Sequence, residues 1–235
     1  MVTKIISHRG RTSKKSIDNT IQSVTNAIDL EVDMVEVDVR KTKDSQIICF
    51  HDSDIEGVLI KDLNYSDIIK INAQIPTLEQ ILWSSKGKIS IEVELKESGY
   101  EADVIAMVLD YFNYDEFVIK SFNYLTIKNV KEINKRVYAG LLLGSDYTME
   151  QLKLILYESF TLDKFLFSQA DFISAYYKIF TAGFLFKFVK QQVPIQVWTV
   201  NDADSIRSLI NLEIHSVVTD IPETALEIRK SLSDV

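Results

Sequence analysis

The chain has 235 residues, 46% of them hydrophobic and 26% charged, with a net charge of −8. This composition excludes a disordered chain, and the length suits one α/β barrel of roughly 200–250 residues. Acidity argues against a nucleic-acid partner, which would need a basic stripe, and leaves an anionic substrate to be drawn by a local metal or Arg/Lys cluster.

Short apolar, β-branched runs alternate with longer amphipathic ones along the chain. Strand-like runs fall at 5–7, 34–39, 89–95, 116–121, 136–142, 171–174, 195–200 and 215–220. Helix-like segments lie near 19–30, 77–84, 100–111, 124–134, 148–158, 178–191, 203–211 and 223–232. Eight such alternations predict a parallel sheet closed as a (β/α)8 TIM barrel, in a single domain over residues 1–235. An open doubly wound sheet explains the alternation less fully and would usually carry a glycine-rich phosphate loop. The seven glycines are scattered and form no such motif. One segment, 40–52, breaks the pattern. It reads as strand, polar turn, strand, an extension of the second strand folding back as a hairpin, with His51 at its end. The insertion that follows, 53–75, is short. Phe180, Phe184 and Phe188 form a stripe that packs the sixth helix on the barrel.

Cys49 is the sole cysteine, which precludes an internal disulfide and fits a reducing compartment. No run reaches the roughly 18 apolar residues of a membrane span. The expectation is a cytoplasmic enzyme without stable membrane insertion.

Chemistry in such barrels occurs at the C-terminal ends of the strands. His8 and Arg9 follow the first run. Glu36 and Asp38 lie late in the second, two apart, and Glu92, Glu94 and Lys96 close the third. Trp198 and Asn201 flank the end of the seventh. Residues two apart on a strand share a face. Inward carboxylates are costly unless partnered, and several at one mouth repel each other. A divalent cation resolves both problems, and all-oxygen ligands favour a hard ion, Mg²⁺ or Ca²⁺. Each signal has an ordinary reading beside it: a structural histidine, a solvated carboxylate face, an edge strand of alternating charge. Their order, at strand ends, favours a site.

Taken together these residues resemble the glycerophosphodiester phosphodiesterase family. The family's His-Arg-Gly is matched by His8, Arg9 and Gly10, and its Glu-Asn-Thr by Asp18-Asn19-Thr20. Its Glu-x-Asp-Val is Glu36 to Val39, its Thr-x-Asp is Thr42 to Asp44, and its His-Asp is His51-Asp52. Ile-Pro-Thr-Leu-Glu stands intact at 75–79, and Glu-x-Lys at Glu94 to Lys96. Ser121-Phe122, Trp198 to Asn201 and Thr219-Asp220 complete the series. The resemblance runs from residue 5 to about 222. It implies metal-dependent hydrolysis of a small-molecule glycerophosphodiester to an alcohol and glycerol 3-phosphate. The implied metal ligands are Glu36, Asp38 and Glu94, and the implied acid/base pair is His8 and His51. Arg9 and Lys96 would hold the phosphate. Trp198, on the alcohol, and Phe122 would contact the substrate. Two alternatives keep the same site: cleavage of lysophospholipids or other lipid diesters, which a site left open by the short insertion would admit, and a barrel that binds phosphoesters without turnover. The presence of both histidines and all three carboxylates weighs against the second.

Some positions depart from the family. Asp18 replaces a glutamate and reads either as a site residue or as a helix N-cap. Glu31 and Glu213 stand where glycines are expected before strands two and eight, as loop adjustments away from the site. Glu92 is read as a ligand or support, or as a partner of Lys88 or Lys96. His215 begins the eighth strand, at the far end of the barrel, and is structural.

Overall fold

The computed structural model describes residues 2–144, 149–181 and 185–233. In chain order, β1 (Lys4–Ser7) is followed by α1 (Ile21–Asp29), and β2 (Met34–Lys41) by the short β3 (Ile47–Cys49). The insertion carries β4 (Asp54–Ile55), β5 (Val58–Leu59) and α2 (Tyr65–Ile71), and leads to α3 (Leu78–Ser85). Then come β6 (Ser90–Leu95), α4 (Glu101–Leu109), β7 (Phe117–Ser121), α5 (Tyr124–Ile133) and β8 (Ala139–Leu143). Two helices, α6 (Met149–Thr161) and α7 (Asp163–Ser168), precede β9 (Phe172–Tyr176). The chain finishes with α8 (Tyr177–Thr181), α9 (Phe186–Lys190), β10 (Ile195–Trp198), α10 (Ala203–Asn211), β11 (Ser216–Thr219) and α11 (Pro222–Ser233).

Eight parallel strands pair in the order β1-β11-β10-β9-β8-β7-β6-β2, and β1 pairs back onto β2 to close the barrel. This is the expected (β/α)8 architecture. The expected hairpin is present: β3 runs antiparallel to β2, with Val39 opposite Cys49. The insertion packs Ile60, Ile68 and Ile75 on Ile48 of β3 in a small apolar cluster of its own. The expected helix at 178–191 is represented by α8 and α9. Phe188 is buried against Phe165, and Phe184 lies outside the described residues. The short α2 and α7 were not anticipated, because segments of six or seven residues show too little periodicity to stand out.

Strand alternation sorts the side chains. Val35, Val37, Val39, Ile91, Val93 and Leu95 point outward into the core shared with the helices. Ile6, Met34, Val118, Phe172 and Val218 point inward and plug the lower barrel. Phe172 fits because β8 offers Gly140 beside it; a Cβ there would stand 2.2 Å from the ring. His215 stacks on Phe172 at this end, 5.8 Å between ring centroids, which is the structural place expected for it.

Several helix starts are fixed locally. Thr20 and Ser23 form a capping box at α1, Thr77 and Gln80 another at α3, and Asn123 and Asp202 cap α5 and α10. Asp18 is therefore not the N-cap of α1. Glu31 and Glu213 follow the C-caps of α1 and α10 with φ of 58° and 51°. They occupy the left-handed position that favours glycine, and their N–H groups reach back to Ile28 and Ile210 carbonyls.

Candidate active site

The inward residues above the apolar plug are polar. Asp38 pairs in register with Glu94, and Glu36 with Glu92, so β2 and β6 place four carboxylates side by side. Oxygen atoms of Glu36, Asp38 and Glu94 lie within 4.8 Å of one another, and all three residues are buried. Around them stand three cationic groups. Arg9 Nε is 3.0 Å from Asp38, Lys96 Nζ is 2.7 Å from Asp38 and also contacts Glu94, and Lys120 Nζ is 3.1 Å from Glu92.

Each carboxylate is held in a different way. Asn19 clamps Asp38 reciprocally: its amide donates to Oδ2 at 2.9 Å, and its carbonyl oxygen accepts the Asp38 backbone N–H at 3.0 Å. Burial pushes the Asp38 carboxyl up, but Lys96, Arg9 and Asn19 outweigh it and hold the group well below the usual carboxylate range. Glu94 is pushed the other way, by burial first and by the neighbouring Asp38 and Glu36, against the pull of Lys96 and Lys120. Glu36 accepts the backbone N–H of Arg9 at 2.9 Å. Arg9 has a φ of 55°, a left-handed conformation that presents this N–H to the site. Asp38 Oδ1 has the Lys96 ammonium at 2.7 Å, and Glu36 Oε1 has the Lys120 ammonium at 3.5 Å. Three buried carboxylates converging within 4.8 Å, an all-oxygen set, fit a hard divalent cation.

The two histidines stand on separate supports. His8 Nδ1 is 2.7 Å from Asp220, just beyond β11. Asp220 is held in turn by the Asn201 amide at 2.7 Å and by Arg11 at 3.1 Å. Burial would raise the Asp220 carboxyl, but His8, Arg11 and Asn201 bring it down to about 2. His51 Nδ1 is 2.7 Å from Asp52, and the His51 side chain is 41% exposed. Burial, then the charge of Lys96, lowers the His51 imidazole below its ordinary value. Arg40 fastens this residue by donating twice to the His51 carbonyl.

Trp198 meets Phe122 edge to face at 5.5 Å and Tyr176 at 5.5 Å, and its indole N–H donates to the Ser174 carbonyl. These rings form an aromatic wall at the ends of β7, β9 and β10. A groove of about 420 Å³ opens between the insertion and the loop after β6, lined by Lys41, Ser53, Leu59, Lys61, Ser98 and Tyr100.

The expected site residues thus fall at one end of the barrel. Asp18 pairs with Arg11 at 2.6 Å and approaches Arg9 at 3.7 Å, so it braces the arginines beside the site. Glu92 is a partner of Lys120 and of Gln196, whose amide donates to it at 2.8 Å, and not of Lys88 or Lys96. Cys49 is buried, and burial pushes its thiol up, away from reactivity. Sequence reasoning missed Lys120, Arg40, Tyr176 and the tie from Asp220 to His8. Strand parity could have found Lys120, which shares a face with Val118 and Phe122.

A model of the glycerophosphoryl diester phosphodiesterase family matches residues 8–224. A glycerophosphodiester phosphodiesterase from Caldanaerobacter subterraneus subsp. tengcongensis is 25% identical over 97% of this chain and 98% of its own. The crystal structure of a glycerophosphodiester phosphodiesterase from Parabacteroides distasonis superposes with a TM-score of 0.81 at 23% identity, over 98% of each chain. An Oleispira antarctica phosphodiesterase, solved with the product sn-glycerol-3-phosphate, gives 0.78 at 19% identity, over 97% of each chain. At these identities the structural likeness speaks for the fold. Among the described residues, no helix is long and apolar enough to cross a membrane.

Proposed function

The chain belongs to the glycerophosphoryl diester phosphodiesterase family, and we propose that it hydrolyses glycerophosphodiesters to an alcohol and glycerol 3-phosphate with His8 and His51 moving the protons. The reading rests above all on the buried Glu36–Asp38–Glu94 set, whose oxygens lie within 4.8 Å of one another, at the same barrel mouth as both histidines.

Glu36, Asp38 and Glu94 would hold one divalent cation, Mg²⁺ or Ca²⁺. When bound, such an ion supplies positive charge to the phosphoryl oxygens and Lewis-acid activation. Arg9 and Lys96 bring two further positive charges to the mouth, where they can meet the phosphate of the substrate and the charge that builds during attack. His51, with its lowered pKa, is neutral near pH 7 and suits the base that takes a proton from the attacking hydroxyl or water. The acid then falls to His8. Its Nδ1 is engaged by Asp220, which leaves Nε2 to deliver a proton to the departing alkoxide. Trp198, with Phe122 and Tyr176 beside it, offers an apolar face to the alcohol.

Product analysis on glycerophosphocholine tests this. Choline and glycerol 3-phosphate should appear, EDTA should stop the reaction, and added Mg²⁺ or Ca²⁺ should restore it. Turnover that resists chelation would remove the metal from the reading. Near-normal rates in His8→Ala or His51→Ala would remove that histidine; losses of roughly 10²–10⁴-fold are expected.

A second reading extends the substrate to lysophospholipids. His51 is 41% exposed on its side chain and Phe122 is 44% exposed, so both residues are open to a bulkier diester. Absence of lysophosphatidylcholine hydrolysis at any concentration would restrict the enzyme to small glycerophosphodiesters.

A further inference from the structure

Lys120 is a buried charge that the reaction above does not use. Its side chain rises from β7 into the centre of the barrel and is only 3% exposed. The ammonium stands 3.1 Å from Glu92, 3.5 Å from Glu36 and 4.0 Å from Glu94. Two of these three carboxylates belong to the candidate metal set; Glu92 does not. Glu92 is held from the opposite side by Gln196, which accepts from Ser174 at 2.5 Å and donates to Ser216 at 3.2 Å. The lysine is therefore seated in a polar layer of the barrel interior, directly against the carboxylates.

Three carboxylates at this range hold the Lys120 ammonium in place as ion-pair partners. With it, the four buried carboxylates face three cationic groups, Arg9, Lys96 and Lys120. Without it they would face two, and closing a barrel over unpaired carboxylates is strongly destabilising. The same charge also repels any cation placed on Glu36 and Glu94.

We propose that Lys120 is a resident counter-cation: it lets the barrel fold before a divalent ion arrives, and it keeps that ion's hold weak enough to exchange. The inference rests on the metal reading given above. Lys96 does not duplicate this role, because it stands at the end of β6 beside Asp38 and Glu94, where it can turn to the substrate. Lys120 is walled in and has no such freedom.

Calorimetric titration of Mg²⁺ and of Ca²⁺ into chelator-stripped protein tests it, together with thermal unfolding in EDTA and with the ion. Wild type should be folded in EDTA and bind the ion. Lys120→Met should unfold at a lower temperature in EDTA, gain more from the ion than wild type does, and bind it at least about tenfold tighter, since one adjacent charge shifts even a proton equilibrium by roughly one to three decades. Glu92→Gln should have the opposite sign: folded in EDTA, with weaker ion binding, because it removes a carboxylate that lies outside the ligand set. A merely structural lysine would leave the folded Lys120→Met protein with equal or weaker affinity, and that result overturns the inference. If Lys120→Met fails to fold with or without the ion, Glu92→Gln decides, and an affinity equal to or above wild type overturns it. No ion binding to wild type overturns the metal reading and this inference with it, an outcome distinct from binding that the two variants leave unchanged.

Discussion

The guanidinium of Arg40 closes on the backbone carbonyl of His51, with Nε at 2.9 Å and Nη2 at 2.6 Å. Arg40 follows Asp38 by two residues on β2, and its remaining nitrogen pairs with Glu97, next to Lys96. One side chain thus ties the hairpin that carries His51 to the two strands that carry the carboxylates. Removing it should let the hairpin drift while leaving the carboxylates in place. Arg40→Met should lower kcat by about 10–10²-fold, the scale expected for a misplacement near 1 Å. KM should change little, and Arg40→Lys should recover part of the loss. Steady-state kinetics on glycerophosphocholine, with circular dichroism to verify folding, would show this; an unaltered kcat in Arg40→Met would rule out the positioning role.

Asp220 supports His8 in a comparable way through a side chain. Asp220→Asn should reduce kcat by roughly 10²-fold or more, as expected when a carboxylate that orients an imidazole is lost. The same residue affects acid stability. Its folded value of about 2 lies below the roughly 3.9 of an unfolded chain. A depressed carboxyl stabilises the fold above the unfolded value and loses that contribution as pH falls through the folded one. Between about pH 4 and pH 2 the wild type should therefore lose more stability than Asp220→Asn, which chemical denaturation at stepped pH can measure. Parallel losses in both proteins would mean that Asp220 contributes nothing to acid stability.

His51 sets the expected pH limb of the reaction. Burial and Lys96 lower its pKa, with Arg9 acting in the same direction and Asp52 and Asp38 opposing. A base must be neutral, so the acid limb of kcat/KM should lie below about 6.5, the unperturbed histidine value. A limb at or above that value would reassign the base. The sign for stability follows: a histidine depressed by folding favours the native state above pH 6.5 and loses that contribution as pH falls.

Glu31 adopts a φ of 58° just past the end of α1. A side chain in the left-handed region costs about 1–2 kcal/mol, and glycine avoids this at some entropic cost in the unfolded chain. Glu31→Gly should raise stability by a few tenths to about 1 kcal/mol, or about 1–4 °C in Tm for a chain of this size. Calorimetry should register the gain with no change in turnover; a lower Tm would show that Glu31 makes a contact worth more than its backbone strain.

The alternation of short β-branched runs with amphipathic segments was enough to predict a closed barrel, because a strand buried on both faces and a helix buried on one have different periods. The motif order His8-Arg9, Glu36-Val37-Asp38, His51, Glu94-Leu95-Lys96 and Trp198 placed the candidate groups at one end, since each follows or closes a strand. Local spacing also exposed the hairpin that bears His51. What it left open was partnership across the barrel. Spacing offers Glu92 a role as metal ligand or support, or as a partner of Lys88 or Lys96, and only closure of the sheet sets it against Lys120 and Gln196, which lie 28 and 104 residues away in the chain. Asp18 had the spacing of a helix cap, yet Thr20 caps α1 and Asp18 turns to Arg11. Glu31 and Glu213 appeared as incidental loop changes, and the backbone gave them left-handed positions. Residue type and strand period are local properties and survive in a one-dimensional reading. Which charge neutralises which depends on distances that exist only once β1 and β2 have met.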